Sequence, residues 1–306
     1  MEELMRNVFL YLSKNQGLNH AAKKWGLRFG ASRFVAGMTI PDAIRAVNDL
    51  NRKGIVATLD HLGEFVTSRE EANESADYCI RTLDAIADAG VKSNLSLKLT
   101  QLGLDIDKNL CMRNMRRILD VAQSHDNFVR IDMEDYAHNE VTISIFKELR
   151  REYGKHVGLV LQAYLYKTEK DIDDLHEFRP NLRLVKGAYK EPKEVAFPLK
   201  TDVDKNFIKI IEKHLLLGNY AAVATHDEAV IQHVKAFTEK HNIPRSQFEF
   251  QMLYGIRTGL QEQLAKEGYT MRVYVPYGND WYGYFMRRLA ERPANVAFVI
   301  KSMFKN

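Results

Sequence analysis

Four side chains near the carboxyl end have the types and spacing to do chemistry: Tyr284, Arg287, Arg288 and Glu291, in the run YFMRRLAE. Read as a helix, they fall at i, i+3, i+4 and i+7, on one face. Such a face is ordinarily apolar. Here it holds two guanidinium groups, a phenol and a carboxylate, while Trp281, Phe285 and Leu289 form a separate apolar stripe beside it. Paired arginines suit a carboxylate ligand, because the planar guanidinium fork matches its two oxygens. The plainer alternative is a solvated face with an Arg287–Glu291 pair, worth only ~0.2–0.5 kcal/mol. A second set of polar residues closes short apolar runs along the chain: Asp60, Lys98, Asp132, Gln162, Lys186, His226, Gln251 and Tyr274.

The elements that must position these groups follow a rhythm. The apolar or β-branched runs are Val56–Asp60, Leu95–Leu99, Phe128–Met133, Gly158–Tyr164, Leu182–Gly187, Ala221–Asp227, Phe248–Leu253 and Met271–Pro276. Between them lie amphipathic stretches such as 70–90, 110–124, 139–153, 202–217, 227–241 and 258–267. Strands alternating with helices in this way predict an α/β fold, a distorted (β/α)8 TIM-like barrel, with a doubly wound open sheet as the rival. In a barrel the polar run ends would line one face, where active sites sit. Thr39-Ile40-Pro41 signals a helix start, with Thr39 as N-cap, and Gly54 its stop. Residues 2–30 read as two helical pieces broken near Gly17 and Gly26. The expected organisation is a helical arm over 1–45 and a catalytic barrel over 46–306.

Composition narrows the classes. The 306 residues are 45% hydrophobic and 27% charged, as in globular chains with a large core. Net charge is +4, from 44 Lys and Arg against 40 Asp and Glu, too mild and too evenly spread for a nucleic-acid surface. The two cysteines, Cys79 and Cys111, show neither disulfide nor metal spacing and point to a reduced compartment. No run reaches the ~18–20 apolar residues that span a bilayer. The opening MEELMRNVFLYLSKNQG lacks a signal-peptide pattern. The expected location is cytoplasmic, with peripheral contact at the inner membrane face as an option.

Dinucleotide-binding, P-loop, zincin and hydrolase-elbow motifs are all absent, and no His/carboxylate spacing suggests a metal. Lys98 and Lys186 sit late in strand-like runs. Each reads as a Schiff-base lysine of an aldolase or lyase, as an ion-pair partner, or as a lysine reaching the rim.

A family resemblance rests on four segments: Leu182–Tyr189 (LRLVKGAY), Thr225-His226, Phe248–Gly255 (FEFQMLYG) and Tyr284…Arg287-Arg288…Glu291. Together, in this order, they resemble proline dehydrogenases, and the likeness runs from about Asp60 to Ala294. These are flavin enzymes that oxidise L-proline to Δ1-pyrroline-5-carboxylate, and the chain is most similar to the short monofunctional bacterial form. The resemblance implies non-covalent FAD held by Gln162, Arg183, Val185, Gly187, Ala188, Thr225, His226 and Glu291. It implies that Arg287, Arg288 and Lys98 bind the proline carboxylate and that Asp132 supports them. Tyr274, Tyr284 and Leu253 would wall the ring, Tyr189 would lie nearby, and Glu64 would act as a gate that pairs with the first arginine. Electrons would pass on to a membrane quinone.

These roles suit the substrate, which carries a carboxylate and a secondary amine on an apolar ring. A cation such as Arg183 near a flavin favours its reduced anion. Related rings, hydroxyproline and pipecolate, are the alternative within the class, with the bulk of Tyr274 as discriminator. A Schiff-base barrel using Lys186 or Lys98, and a non-catalytic amino-acid-binding barrel, are the alternatives outside it.

Overall fold

Each apolar run becomes a strand, and the strands close in chain order into a parallel eight-stranded barrel. The structure, a computed structural model, describes residues 31–63 and 66–291, with 31 and 287–291 as backbone. The expected helical pieces in 2–30 lie outside the described residues. The strands are β1 (Val56–His61), β2 (Ser93–Leu97), β3 (Val129–Ile131) and β4 (Val157–Gln162), then β5 (Leu182–Val185), β6 (Ala221–Ala224), β7 (Phe248–Leu253) and β8 (Met271–Tyr277). The helix before the first strand is α1 (Ile40–Asn51). After β1 to β4 follow α2 (Arg69–Asp88), α3 (Lys108–Ser124), α4 (Tyr136–Tyr153) and α5 (Thr168–Leu175). After β5 to β8 follow α6 (Lys200–Leu216), α7 (Glu228–Lys240), α8 (Thr258–Lys266) and α9 (Trp281–Glu291).

Local chemistry sets the helix starts. Thr39 accepts from the Asp42 backbone N–H, and Asp42 returns a bond to the Thr39 backbone, with Pro41 in the first turn. Ser68 and Glu71 form the same reciprocal cap on α2. Asp107, Asp135 and Asp227 cap α3, α4 and α7. Cys79 and Cys111 are buried thiols on α2 and α3, neither in a disulfide, and Cys111 Sγ donates to the Leu99 carbonyl at 3.6 Å.

Alternation along the strands decides where the core sits. Leu59, Leu95, Leu97, Val129, Ile131, Leu159, Leu161, Leu182, Leu184, Val223, Phe250 and Val273 are at most 1% exposed and join one apolar cluster with the helices. Residues of the opposite parity are largely polar: Thr58, Asp60, Ser96, Arg130, Gln162, Arg183, Glu249, Gln251 and Arg272. The main core is therefore the layer between strands and helices, and the barrel axis is polar. Several predicted strands end earlier than expected. Lys98 and Lys186 lie one residue beyond β2 and β5, and Asp132 one residue beyond β3. No helix among the described residues is long and apolar enough to cross a membrane.

Candidate active site

The carboxyl-terminal mouth of the barrel gathers side chains from the ends of six strands. From β1, Asp60 is 1% exposed, and its Oδ2 lies 3.3 Å from Lys98 Nζ, just past β2. The Tyr274 hydroxyl, from β8, lies 2.6 Å from the same Asp60 oxygen and 3.0 Å from Asp132 Oδ2. Arg183, from β5, donates from Nη1 to Asp132 Oδ1 at 2.6 Å, from Nη2 to Ser96 Oγ at 2.9 Å and from Nε to Gln251 Oε1 at 2.6 Å. Its guanidinium also sits 5.3 Å from the Tyr274 ring centroid. Gln251 donates onward to Glu249, which accepts from Arg272 at 2.8 Å. A continuous polar chain thus runs down the axis from mouth to floor.

Burial and charge perturb this cluster. Burial raises the Asp60 carboxyl above the usual carboxylate range; Lys98 opposes that, and the Asp132 charge adds to it. The Tyr274 phenol rises well above its ordinary value, by burial and by the two carboxylates. Glu134 is raised by burial, although the Thr100 hydroxyl donates to it at 2.6 Å.

Gln162 ends β4 and donates to the Glu134 carbonyl at 3.0 Å, while its Oε1 is buried without a hydrogen-bond partner among the described residues. Val185 and Lys186 bond through their carbonyls to the backbone N–H groups of Ala163 and Tyr164. Gly187 follows at φ +113°, and a Cβ there would collide with the Tyr164 ring, so only glycine fits this turn. Ala188 and Tyr189 are exposed just beyond it. The Thr225 hydroxyl accepts from the Asp227 N–H at 3.0 Å, and His226 Nε2 accepts from the Leu253 N–H at 3.0 Å.

The structure therefore brings Lys98, Asp132, Arg183 and Tyr274 together. It sets Gln162, Val185, Gly187, Thr225, His226 and Leu253 on neighbouring strand ends. Tyr284 is buried with Phe34, Val35, Leu62, Ile256, Trp281, Phe285 and Met286, and Leu253 packs against that cluster. The side chains of Arg287, Arg288 and Glu291 on α9, and all of Glu64, lie outside the described residues. Asp60, Ser96 and Gln251 complete the cluster without having been assigned a role from sequence. For Asp60 and Gln251 the signal was present, as polar residues closing strands.

The Schiff-base reading of Lys186 fails on its surroundings. Its Nζ lies 2.6 Å from Asp204 and 3.0 Å from Asp227. Burial works to lower its pKa, but those two bonds outweigh burial and raise it, opposite to what an amine nucleophile needs.

Known proteins agree with this geometry. The proline dehydrogenase family model matches residues 43–301. Proline dehydrogenase 1 of Bacillus subtilis (strain 168) is 54% identical over 302 residues, which is 99% of this chain and 100% of the relative. Proline dehydrogenase of Deinococcus radiodurans is 47% identical, covering 100% of this chain and 99% of the relative. Among solved structures, proline utilization A from Bdellovibrio bacteriovorus, inactivated by N-propargylglycine, superposes with a TM-score of 0.82 at 27% identity. That likeness covers 94% of this chain and 36% of the larger protein. Barrel, mouth and full-length similarity converge, and the chain belongs to the proline dehydrogenase family, oxidoreductases that act on proline.

Proposed function

We propose that the barrel mouth binds FAD non-covalently and oxidises L-proline to Δ1-pyrroline-5-carboxylate, with the electrons delivered to a membrane quinone. FAD supplies the hydride acceptor when bound. Two features of the chain fit that cofactor. The buried, unpartnered Gln162 Oε1 is an acceptor suited to the ring N–H of a flavin. Arg183 uses three of its five donors inside the protein and brings a positive charge to the mouth. The bend at Val185, Gly187 and Ala188 and the pair Thr225-His226 would supply further contacts, and Glu291 another.

The observation that carries the substrate side is the Lys98–Asp60–Tyr274–Asp132–Arg183 cluster. In this reading Lys98, with Arg287 and Arg288, holds the proline carboxylate, and Asp132 anchors Arg183. Tyr274, Tyr284 and Leu253 exclude water from the ring, with Tyr189 near the rim and Glu64 as gate. Proline must react as the neutral amine. Cations at the mouth disfavour the ammonium form and so ease loss of its proton. Quinone reduction would require contact with the inner membrane face, and the chain would make it as a peripheral protein.

The test is denaturing release of the cofactor from purified protein. The reading expects about one FAD per chain in the supernatant. A different flavin, or none after reconstitution with FAD, would overturn it.

A further inference from the structure

One phenol proton faces two carboxylates. The Tyr274 hydroxyl is 2.6 Å from Asp60 and 3.0 Å from Asp132, and it can donate to only one of them. With both carboxylates ionised the phenol proton is shared and one of the two contacts is left weak; a proton added on the carboxyl side would complete both. Asp132 is held by Arg183 at 2.6 Å, whereas Asp60 meets Lys98 only at 3.3 Å. Asp60 Oδ1 is also buried and without a partner among the described residues. Asp60 is therefore the carboxylate better placed to take up such a proton, after which Asp60 O–H would donate to Tyr274 and Tyr274 O–H to Asp132.

We infer that Asp60, Tyr274 and Asp132 form a proton-storing unit, and that a substrate carboxylate engaging Lys98 loads one proton from solvent onto Asp60. Asp60 is then a positioning residue that sets how much of the Lys98 charge reaches the substrate. The inference rests on the reading above that Lys98 binds the carboxylate. An arriving anion draws on the ammonium that balances Asp60 and adds negative charge nearby; protonation of Asp60 removes the conflict. Glu134, also raised by burial and facing the Lys98 charge, is the other carboxyl able to take up a proton, and Asp60→Asn distinguishes the two; the remaining neighbours stay silent. The Cys79 thiol behind Asp60 is pushed up to about 12 by burial, Tyr277 is raised further by burial, and His61 is lowered to about 4 by burial, leaving it neutral.

The probe is cyclopentanecarboxylate, which has the proline ring and carboxylate but no amine to titrate. Its binding to the flavin-loaded enzyme is measured calorimetrically in buffers of different ionisation enthalpy, across roughly pH 6–9. The wild type should take up a proton, with Kd rising by about tenfold per pH unit at its steepest. Asp60→Asn keeps an acceptor for Tyr274 and should bind with no proton uptake and a flat Kd. Tyr274→Phe, which removes the bridge, should also flatten the profile, so misfolding of one variant leaves the other decisive. An unchanged proton uptake in either folded variant overturns the inference. Lys98→Met separates the two readings. If it leaves Kd unchanged, the role of Lys98 fails. If it weakens binding while Asp60→Asn still takes up the proton, only the Asp60 inference fails.

Discussion

The two ends of the barrel axis are built from the same residue types and behave oppositely. At the floor, Glu249 accepts from Arg272, from Gln251 and, at 3.0 Å, from the Tyr220 hydroxyl. Burial works to raise that carboxyl, yet Arg272, together with Gln251 and Arg130, outweighs it and holds it below the usual range. Arg130 meets the carbonyls of Leu159 and Asn181, a close approach possible only because residue 158 is glycine: a Cβ there would lie 2.7 Å from Arg130 Nη1 and 2.6 Å from the Asn181 oxygen. At the mouth, Asp60 is as buried as Glu249 but has a longer ion pair and an orphaned oxygen, and its pKa moves up. Burial alone does not make a functional carboxylate. Burial with too few partners does, because the charge is then left for a ligand or a proton to settle.

Substitutions should sharpen that contrast. The largest effect is expected at the floor. Glu249→Gln strands the Arg130 and Arg272 cations in the interior and should cost about 3–5 kcal/mol in denaturant unfolding. At the mouth, Lys98→Met should raise the KM for proline about 10–100-fold, or about 1.4–2.8 kcal/mol, with kcat nearly unchanged. A mouth variant that lost as much stability as the floor variant would erase the distinction.

Stability against pH should separate the two carboxylates by sign. Glu249 has a depressed folded pKa, so it stabilises the fold above its unfolded pKa, and that contribution is lost as pH falls through the folded value. Asp60 has a raised folded pKa, so its contribution is present below the unfolded pKa and lost as pH rises through the folded value. Asp60→Asn should therefore melt a few degrees above the wild type at alkaline pH and level with it in acid, by calorimetric scans. The smallest effect belongs to the rim. Lys186→Met loses partly exposed pairs with Asp204 and Asp227 and should cost no more than about 1 kcal/mol.

Much of this arrangement is legible in the sequence because barrel strands announce themselves by apolar runs closed by polar residues. The Thr39 cap and the Gly54 stop are local chemistry and are found where local chemistry puts them. Helix α5 escapes, since TEKDIDDL is short and offers only Ile172 and Leu175 as apolar anchors. The burial of Tyr284 against Phe34 and Val35 is not legible in the sequence, because those residues lie far away in the chain. The partnership of Asp60 with Tyr274 spans 214 residues, and its consequence turns on distances across the barrel. The motif LRLVKGAY marks the strand proposed to hold the cofactor, but spacing says nothing of the Asp204 and Asp227 oxygens that hold Lys186.

The central claim is that this mouth passes electrons from proline to a bound flavin. Visible absorption of the purified protein, before and after anaerobic addition of L-proline, tests it most directly. The account predicts flavin bands that bleach when proline is added. Bands that persist in the presence of proline, or a protein that stays colourless after reconstitution with FAD, would contradict it.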